Sequence, residues 1–437
     1  MKKVLMLTVL FVLANAVVFS QHVLFEEYDL DNGLHVILHQ DKTAPLVVTS
    51  VMYHVGAKDE NPERTGFAHF FEHLLFEGTE NIARGEWDLL VGGNGGMNNA
   101  NTTDDRTYYF ELFPSNNLQM ALWMEAERMF HPVINQIGVD IQREVVKEEK
   151  RKNYDNRPYG KIWNAVKINM FKQHPYRWMT IGSMEHLNAA TLDEFKAFFK
   201  KFYIPNNAVL VVAGDFDTAN AKKWIDDYFK DIPKGTPIVR EAYTEAPIVS
   251  EIRTTYEDPN IQIPALITAY RTPSMKVRDA YVLDMISSIL SGGKSSRLYS
   301  KLVDKEKTAL EVAAFNNSEE DYGAYIIFGL PMTGKTSDDI LKGIDEEVVR
   351  LQTELISEKE YQKLQNKFEN AFVRNNATVD AVADNLATYY MLYKDVNLIN
   401  TEIDLYRSIT REEIRDVANR YLKSNQRVVI DYVAKNN

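Results

Sequence analysis

Apolar residues along this chain recur with two different periods, and the alternation between them predicts the order of elements. LHVILHQ (34–40), LVVTSVMYHVG (46–56) and RTYYFELF (106–113) alternate or run apolar over lengths that suit strands. Longer segments with helical spacing, such as Leu118–Met129, are interleaved with them. The pattern then repeats. TLDEFKAFFKKFYIPNNAVLVV, Thr191–Val212, has a counterpart 219 residues later in TREEIRDVANRYLKSNQRVVID, Thr410–Asp431. Each places a helix, an aromatic near its end, an Asn-containing turn and a β-branched strand in the same order, and internal duplication is the economical reading. The expected fold class is α+β, with two homologous halves, each a sheet with helices packed on one face. The halves are expected at 21–236 and 237–437, joined through DIPKGTPIVREAYTEAP, Asp231–Pro247.

Composition narrows the functional classes. A chain of 437 residues with 45% hydrophobic and 26% charged residues is long enough for two cores of ordinary globular character. A formal charge of −12 argues against general nucleic-acid binding and leaves no basic stripe for phosphates or anionic lipids. The absence of cysteine excludes disulfides, thiolate catalysis, cysteine-ligated zinc and a lipoprotein anchor. MKKVLMLTVLFVLANAVVFS (1–20) has two lysines, an apolar run and small residues at Ala14, Ala16 and Ser20, which reads as a secretory signal peptide cleaved after Ala16 or Ser20. The expected location is periplasmic or secreted. An uncleaved anchor is the alternative, because the 17 residues Val4–Ser20 lie near the lower length limit for spanning. No later segment is long and apolar enough to cross a membrane.

The chemistry concentrates in GFAHFFEHLLFEG, Gly66–Gly78, which places His69, Glu72 and His73 in the order H-x-x-E-H within an apolar stretch. On a helix His69 and His73 lie about one turn apart on one face, so both imidazoles can reach one metal ion, with Glu72 beside them to take the proton of attacking water. This is the reverse of H-E-x-x-H and is the inverzincin order. The bland alternative is a pair of histidines on an amphipathic helix. Hydrolytic zinc usually takes three protein ligands, and the region Gln142–Gly160 offers Glu144, Glu148 and Glu149 for the third.

With these residues in place, the chain resembles the insulinase/pitrilysin family of zinc metallopeptidases, whose smaller members include mitochondrial processing peptidase and bacterial secreted or periplasmic peptidases. The resemblance implies a zinc cofactor, Glu72 as general base, and a ligand about 76 residues after the second histidine. That position is Glu149, with Glu148 as the nearest rival. A further glutamate often found seven residues before the ligand is replaced by Gln142, which can serve as a neutral hydrogen-bonding neighbour of the ligand. GGNGGMNNANTTDDRTYYFEL, Gly92–Leu112, resembles the family's turn into an edge strand that pairs with substrate. On that reading Asn99, Ala100, Asn101 and Thr102 form the turn and Thr107–Glu111 the edge strand, and strand addition would hold any extended peptide through its main chain. An ordinary hairpin loop is the simpler account of the same Gly and Asn cluster.

Two features of the second half bear on function. GLPMTGKT, Gly329–Thr336, satisfies Walker A spacing between a strand and a helix, so a P-loop NTPase is a competing reading, weakened by the predicted export. GGKSSRLY, Gly292–Tyr299, lacks the first P-loop glycine. Active members of the family often carry an arginine and a tyrosine seven residues apart that reach the substrate or its oxyanion. Here Val303 and Leu310 stand at the best-matching positions, and Arg297 and Tyr299 have the wrong spacing. The sequence therefore predicts a zinc endopeptidase acting on extended peptides or short unfolded polypeptides. Its partner is expected to be a related second subunit that supplies the missing pair, or a second copy of the chain. A noncatalytic assembly subunit is the alternative.

Overall fold

The computed structural model describes residues 22–435, so the predicted signal peptide lies outside the described residues. The first sheet is built from β1 (Glu26–Asp29), β2 (His35–Gln40), β3 (Leu46–Tyr53), β4 (Met97–Thr102), β5 (Thr107–Pro114) and β6 (Ala208–Gly214), in the order β1-β2-β6-β3-β5-β4. The second comprises β7 (Ile252–Asp258), β8 (Ala265–Pro273), β9 (Ala309–Ser318), β10 (Tyr322–Pro331) and β11 (Val428–Ala434), in the order β7-β11-β8-β10-β9. In sequence with the first sheet run helices α1 (Phe67–Leu74), α2 (Trp87–Gly93), α3 (Leu118–Phe130), α4 (Gln136–Lys150), α5 (Ile162–Met170), α6 (Met184–Ala189), α7 (Leu192–Phe202) and α8 (Thr218–Phe229). With the second run α9 (Arg278–Ser291), α10 (Ser337–Thr353), α11 (Glu358–Asn375), α12 (Val379–Thr388), α13 (Leu398–Ser408) and α14 (Arg411–Tyr421). Among the described residues no helix is long and apolar enough to cross a membrane.

The duplication is visible in the topology. Thr191 and Glu194 form a capping box at the start of α7, and Thr410 and Glu413 form the same box at α14. Each helix leads into the strand that enters the middle of its sheet: β6 lies parallel to β2 and antiparallel to β3, and β11 lies parallel to β7 and antiparallel to β8. The α+β class expected from the sequence is the class observed. Residues 231–251 run without strand or helix, and Glu245 fastens this strap by accepting the N–H groups of Lys172, Gln173 and His174 at 2.7, 2.6 and 2.7 Å.

Both faces of each sheet are covered, and by different halves. Along β6, Leu210 and Val212 join the core beneath α1, α3, α7 and α8, while Val209, Val211 and Ala213 point to the opposite face. There they meet Val382, Ala383, Leu386 and Ala387 of α12, a helix of the second half. Reciprocally, Ala165, Val166 and Met170 of α5 pack on Ile267, Ala269, Val428 and Ile430 of the second sheet. Two-sided burial is why AVLVVAG reads as one apolar run rather than an alternation.

Two expectations are corrected here. The segment Thr107–Glu111 is not an edge strand: β5 pairs with β3 on one side and β4 on the other, and the sheet ends at Met97–Thr102. Asn99, Ala100, Asn101 and Thr102 are therefore strand rather than turn. Their polar, Asn-rich composition suits an exposed edge, where apolar residues would invite aggregation. The Walker-like segment forms no phosphate cradle. Gly329 lies within β10, paired with Val312 and Leu266, and at the start of α10 the Asp339 carboxylate accepts from the Thr336 N–H and hydroxyl at 2.8 and 2.9 Å. A carboxylate in that position repels phosphate.

Because each half roofs the other's sheet, the protein is expected to unfold in one calorimetric transition. Leu386→Ala, at a fully buried position on α12, should cost about 2–5 kcal/mol and lower that single transition rather than split it. A pH effect should accompany it. Burial pushes the Glu402 carboxyl up to about 7, although it accepts the Tyr389 hydroxyl at 2.9 Å. The folded state thus holds this proton more tightly than the unfolded one, so the contribution is complete below the ordinary glutamate pKa and is lost as pH rises through 7, an effect on the order of 2–3 kcal/mol. Chemical denaturation between pH 5 and 8 should show this decline, and Glu402→Gln should flatten it.

Candidate metal centre

Helix α1 is fixed at its start by an internal carboxylate. Glu60 accepts the N–H of Gly66 and of Ala68, each at 2.9 Å, satisfying amides that a helix N-terminus leaves free. Burial pushes the Glu60 carboxyl well above the usual range, opposed by these two bonds. Gly66 has φ +97°, and a Cβ there would lie 3.1 Å from Gly182 Cα and from the Ile181 carbonyl, so glycine alone enters this turn without strain. From that anchor Phe67, Phe70, Phe71 and Leu74 turn into the core, with Phe67 and Phe70 against Phe195 at ring separations of 4.6 and 4.5 Å. The opposite face carries His69, Glu72 and His73, all partly exposed.

Helix α4 packs against α1 and brings Glu149 to this face. Glu149 Oε2 lies 3.5 Å from His69 Nε2 and 3.3 Å from His73 Nε2, and the two rings stand nearly perpendicular with centroids 4.9 Å apart. Among the described residues this is the group of side chains placed to hold a metal, with ligand atoms all within 4.8 Å of one another. The dimensions fit zinc. Ligand bonds of about 2.0–2.1 Å in a tetrahedron imply edges of about 3.3–3.4 Å, close to both separations. The protonation states fit as well. Burial brings the His69 imidazole down to about 4 against the pull of Glu149, so it is neutral near pH 7. The hydrogen bond from His73 holds the Glu149 carboxyl below the usual range. Two imidazoles, that of His69 neutral, and a carboxylate make a donor set for hydrolytic zinc. His69 Nδ1 is buried without a hydrogen-bond partner.

Glu72 sits beside this triangle. Its Oε2 accepts the Thr102 hydroxyl at 2.7 Å, and burial raises its carboxyl while that bond opposes the shift. The sequence places Thr102 in a substrate turn, whereas the structure has it orient Glu72 from the end of the edge strand. Ala100 packs on the core from the same face of β4, while Asn99 and Asn101 are exposed.

The neighbouring carboxylates are engaged elsewhere. Glu148 pairs with Arg151 at 3.1 Å and Glu144 with Lys147 at 2.8 Å, both pointing to solvent. Gln142, two turns before Glu149, donates from Nε2 to Glu77 Oε1 at 2.5 Å rather than to any of the three candidate ligands. Two residues escaped the sequence reading. Asn153 lies one turn past Glu149, with Nδ2 3.5 Å from Glu149 Oε1. Tyr154 follows it, its hydroxyl pKa raised by burial and then by the charges of Glu149 and Glu72. The i, i+4 spacing of Glu149 and Asn153 was the available signal. In the second half Val303 lies against the core and Leu310 is exposed on β9. Arg297 is held by Glu360 at 2.9 and 2.7 Å.

Comparison with known proteins agrees with this architecture. Residues 35–182 match the model of insulinase, peptidase family M16, and residues 189–368 match that of the M16 peptidase inactive domain. The chain belongs to the insulinase/pitrilysin family of peptidases. It is similar to the zinc protease PqqE of Helicobacter pylori, 28% identical over 413 residues, spanning 93% of this chain and 92% of that protein. A crystal structure of a protease from Helicobacter pylori superposes with a TM-score of 0.89 at 27% identity, covering 94% of this chain and all of that one. The periplasmic protease PqqL from Escherichia coli shares the fold at a TM-score of 0.78 and 18% identity, with 94% of this chain matching 47% of that longer chain.

The geometry separates the two adjacent glutamates. Glu149→Gln should weaken zinc affinity by at least about 10–100-fold, the cost usually seen for disturbing even an outer partner of a ligand, whereas Glu148→Gln should leave metal content unchanged. Elemental analysis after dialysis against a graded chelator series would distinguish them.

Proposed function

We propose that this protein is a zinc-dependent endopeptidase that hydrolyses extended peptides or short unfolded polypeptides, with Glu72 as general base and His69, His73 and Glu149 as ligands. The observation that carries the reading is the convergence of two imidazole nitrogens on one carboxylate oxygen, each at a tetrahedral-edge separation from it, with a second carboxylate alongside. Zinc held there supplies Lewis acidity toward the scissile carbonyl and toward attacking water. The protein's own residues supply the rest. The Thr102 hydroxyl occupies Oε2 of Glu72 and leaves Oε1 to take the water's proton. Partial burial makes that carboxylate a stronger base than one in bulk water. The free side of β4, with Asn99, Ala100 and Asn101, offers main-chain donors and acceptors to an extended peptide next to Glu72.

Val303 and Leu310 stand where the family often has the arginine and tyrosine that reach the far side of the substrate. This favours a chamber completed by a related second subunit bearing that pair, or by a second copy of this chain. PqqL, in which a unit of this fold accounts for just under half of the chain, is in keeping with such pairing. The lysine-led apolar segment at residues 1–20 and the periplasmic PqqL favour a periplasmic or secreted location.

Glu72→Gln should lower peptide turnover by about 10²–10⁴-fold, the range for loss of a general base, while zinc content stays at the native level. Near-native turnover would remove Glu72 from the role. Adding the product of a related gene carrying the Arg/Tyr pair should raise kcat by on the order of 10²-fold, the usual worth of an oxyanion donor. Full activity from the isolated chain on a mixed peptide library, with no gain on adding the partner, would argue against a completed chamber.

A further inference from the structure

Thr102, which holds Glu72, is the last residue of an edge strand, so its position depends on the turn that follows it. That turn is gripped from two sides. The first grip is local: Ala57 N–H donates to the Thr103 carbonyl at 3.1 Å and Lys58 N–H to the Asp104 carbonyl at 2.9 Å. The chains approach so closely that a Cβ on Gly56 would lie 2.4 Å from Asp104 C and O.

The second grip comes from the other half. Buried Asp105 accepts the Tyr176 hydroxyl at 2.6 Å and Lys58 Nζ at 2.9 Å, and its other oxygen accepts the Glu320 N–H at 2.8 Å. Lys58 Nζ also meets Glu320 Oε2 at 2.8 Å and Asp321 Oδ2 at 3.1 Å. Glu320 and Asp321 form the tip of the β9–β10 hairpin, and Glu320 Oε2 is further held by His54 Nε2 at 2.7 Å. Nearby, Asp104 pairs with Lys167 of α5. One buried lysine thus ties carboxylates of both halves to the turn that follows Thr102.

We propose that the second half positions the general base: the Glu320–Lys58–Asp105 network clamps residues 103–106 and, through Thr102, orients Glu72. This rests on the peptidase reading for its kinetic consequence, though not for the clamp itself. Glu320 is a positioning residue, three contacts away from Glu72. A contiguous set of short, buried, charge-assisted contacts is a physical route for such coupling, and loss of one link is felt as misplacement of the reacting groups.

Lys58 is a poor probe, because its removal strips buried Asp105 of its only cationic partner among the described residues and is strongly destabilising. Glu320→Ala is the better one, since Lys58 keeps Asp105 and Asp321. Its expected effects are faster amide exchange over residues 101–107 by mass spectrometry and a fall in kcat of on the order of tenfold at unchanged KM and zinc content, assayed well below a Tm that loss of this buried acceptor also lowers. Lys276→Ala removes only the outer contact to Glu320 Oε1, at 2.9 Å, and should move neither readout. Thr102→Val should lower kcat comparably, and Glu320→Ala added to it should lower kcat no further. Additive losses, a loss of kcat that tracks zinc content, or unchanged exchange over 101–107 would overturn the clamp. A native chain that turns over no peptide but shows the stated change in exchange would overturn the peptidase reading and leave the clamp standing.

Discussion

The structure depends on an exchange of cover. Two-sided burial of a sheet needs an apolar layer on each face, and in this chain the second layer always comes from the other half: α12 roofs the first sheet and α5 the second. Sheets left open on those faces would expose Ile37, Val48, Met52, Val209 and Val211 on one side and Ile267, Ala269, Val428 and Ile430 on the other. Hydrophobic burial at about 25 cal/mol per Å² makes such exposure untenable for a free half. The halves therefore fold as one object, and every inter-half polar contact is held at a geometry that the apolar layers have already fixed.

That constraint explains how a site with few supports keeps its shape. The helix carrying His69, Glu72 and His73 has only 8 residues, too short to be stable in isolation. It is pinned by aromatic packing on one face and by the Glu60 carboxylate at its start, leaving the other face free to carry polar groups. Glu149 arrives from a helix that packs on α1 directly, so all three candidate ligands sit on regular elements rather than loops, which is how a preorganised metal site is normally supported.

What was legible in the sequence follows from the range of each interaction. The H-x-x-E-H face and the capping boxes at Thr191 and Thr410 are set within a turn or two of chain, and periodicity reports them directly. The duplication was legible because whole supersecondary units repeat. Family spacing favours Glu149 over Glu148, and the geometry brings Glu149 to the histidines while Glu148 turns outward to Arg151. A run of Asn residues has turn-like propensity, and only the sheet order reveals that Met97–Thr102, not Thr107–Glu111, is an edge strand. The Thr102–Glu72 bond and the Lys58–Glu320 contact join residues 30 and 262 apart, and no local pattern encodes them.

The same logic accounts for the asymmetry between the halves. In the first half, the chain between β3 and β4 contains α1, whose outward face holds the histidines. In the second half, the topologically equivalent chain between β8 and β9 contains α9, and there Ala280, Tyr281, Val282, Leu283, Met285, Ile286, Ile289 and Leu290 are all buried. A helix apolar on nearly every side must be enclosed, and it packs with α14 and β9 deep in the second core. The position that carries the candidate ligands in one copy is structural in the other. What the second copy retains at the shared boundary is the β9–β10 hairpin tip, whose Glu320 and Asp321 reach Lys58 close to β4, so on the proposed clamp its contribution runs through position rather than through ligands of its own.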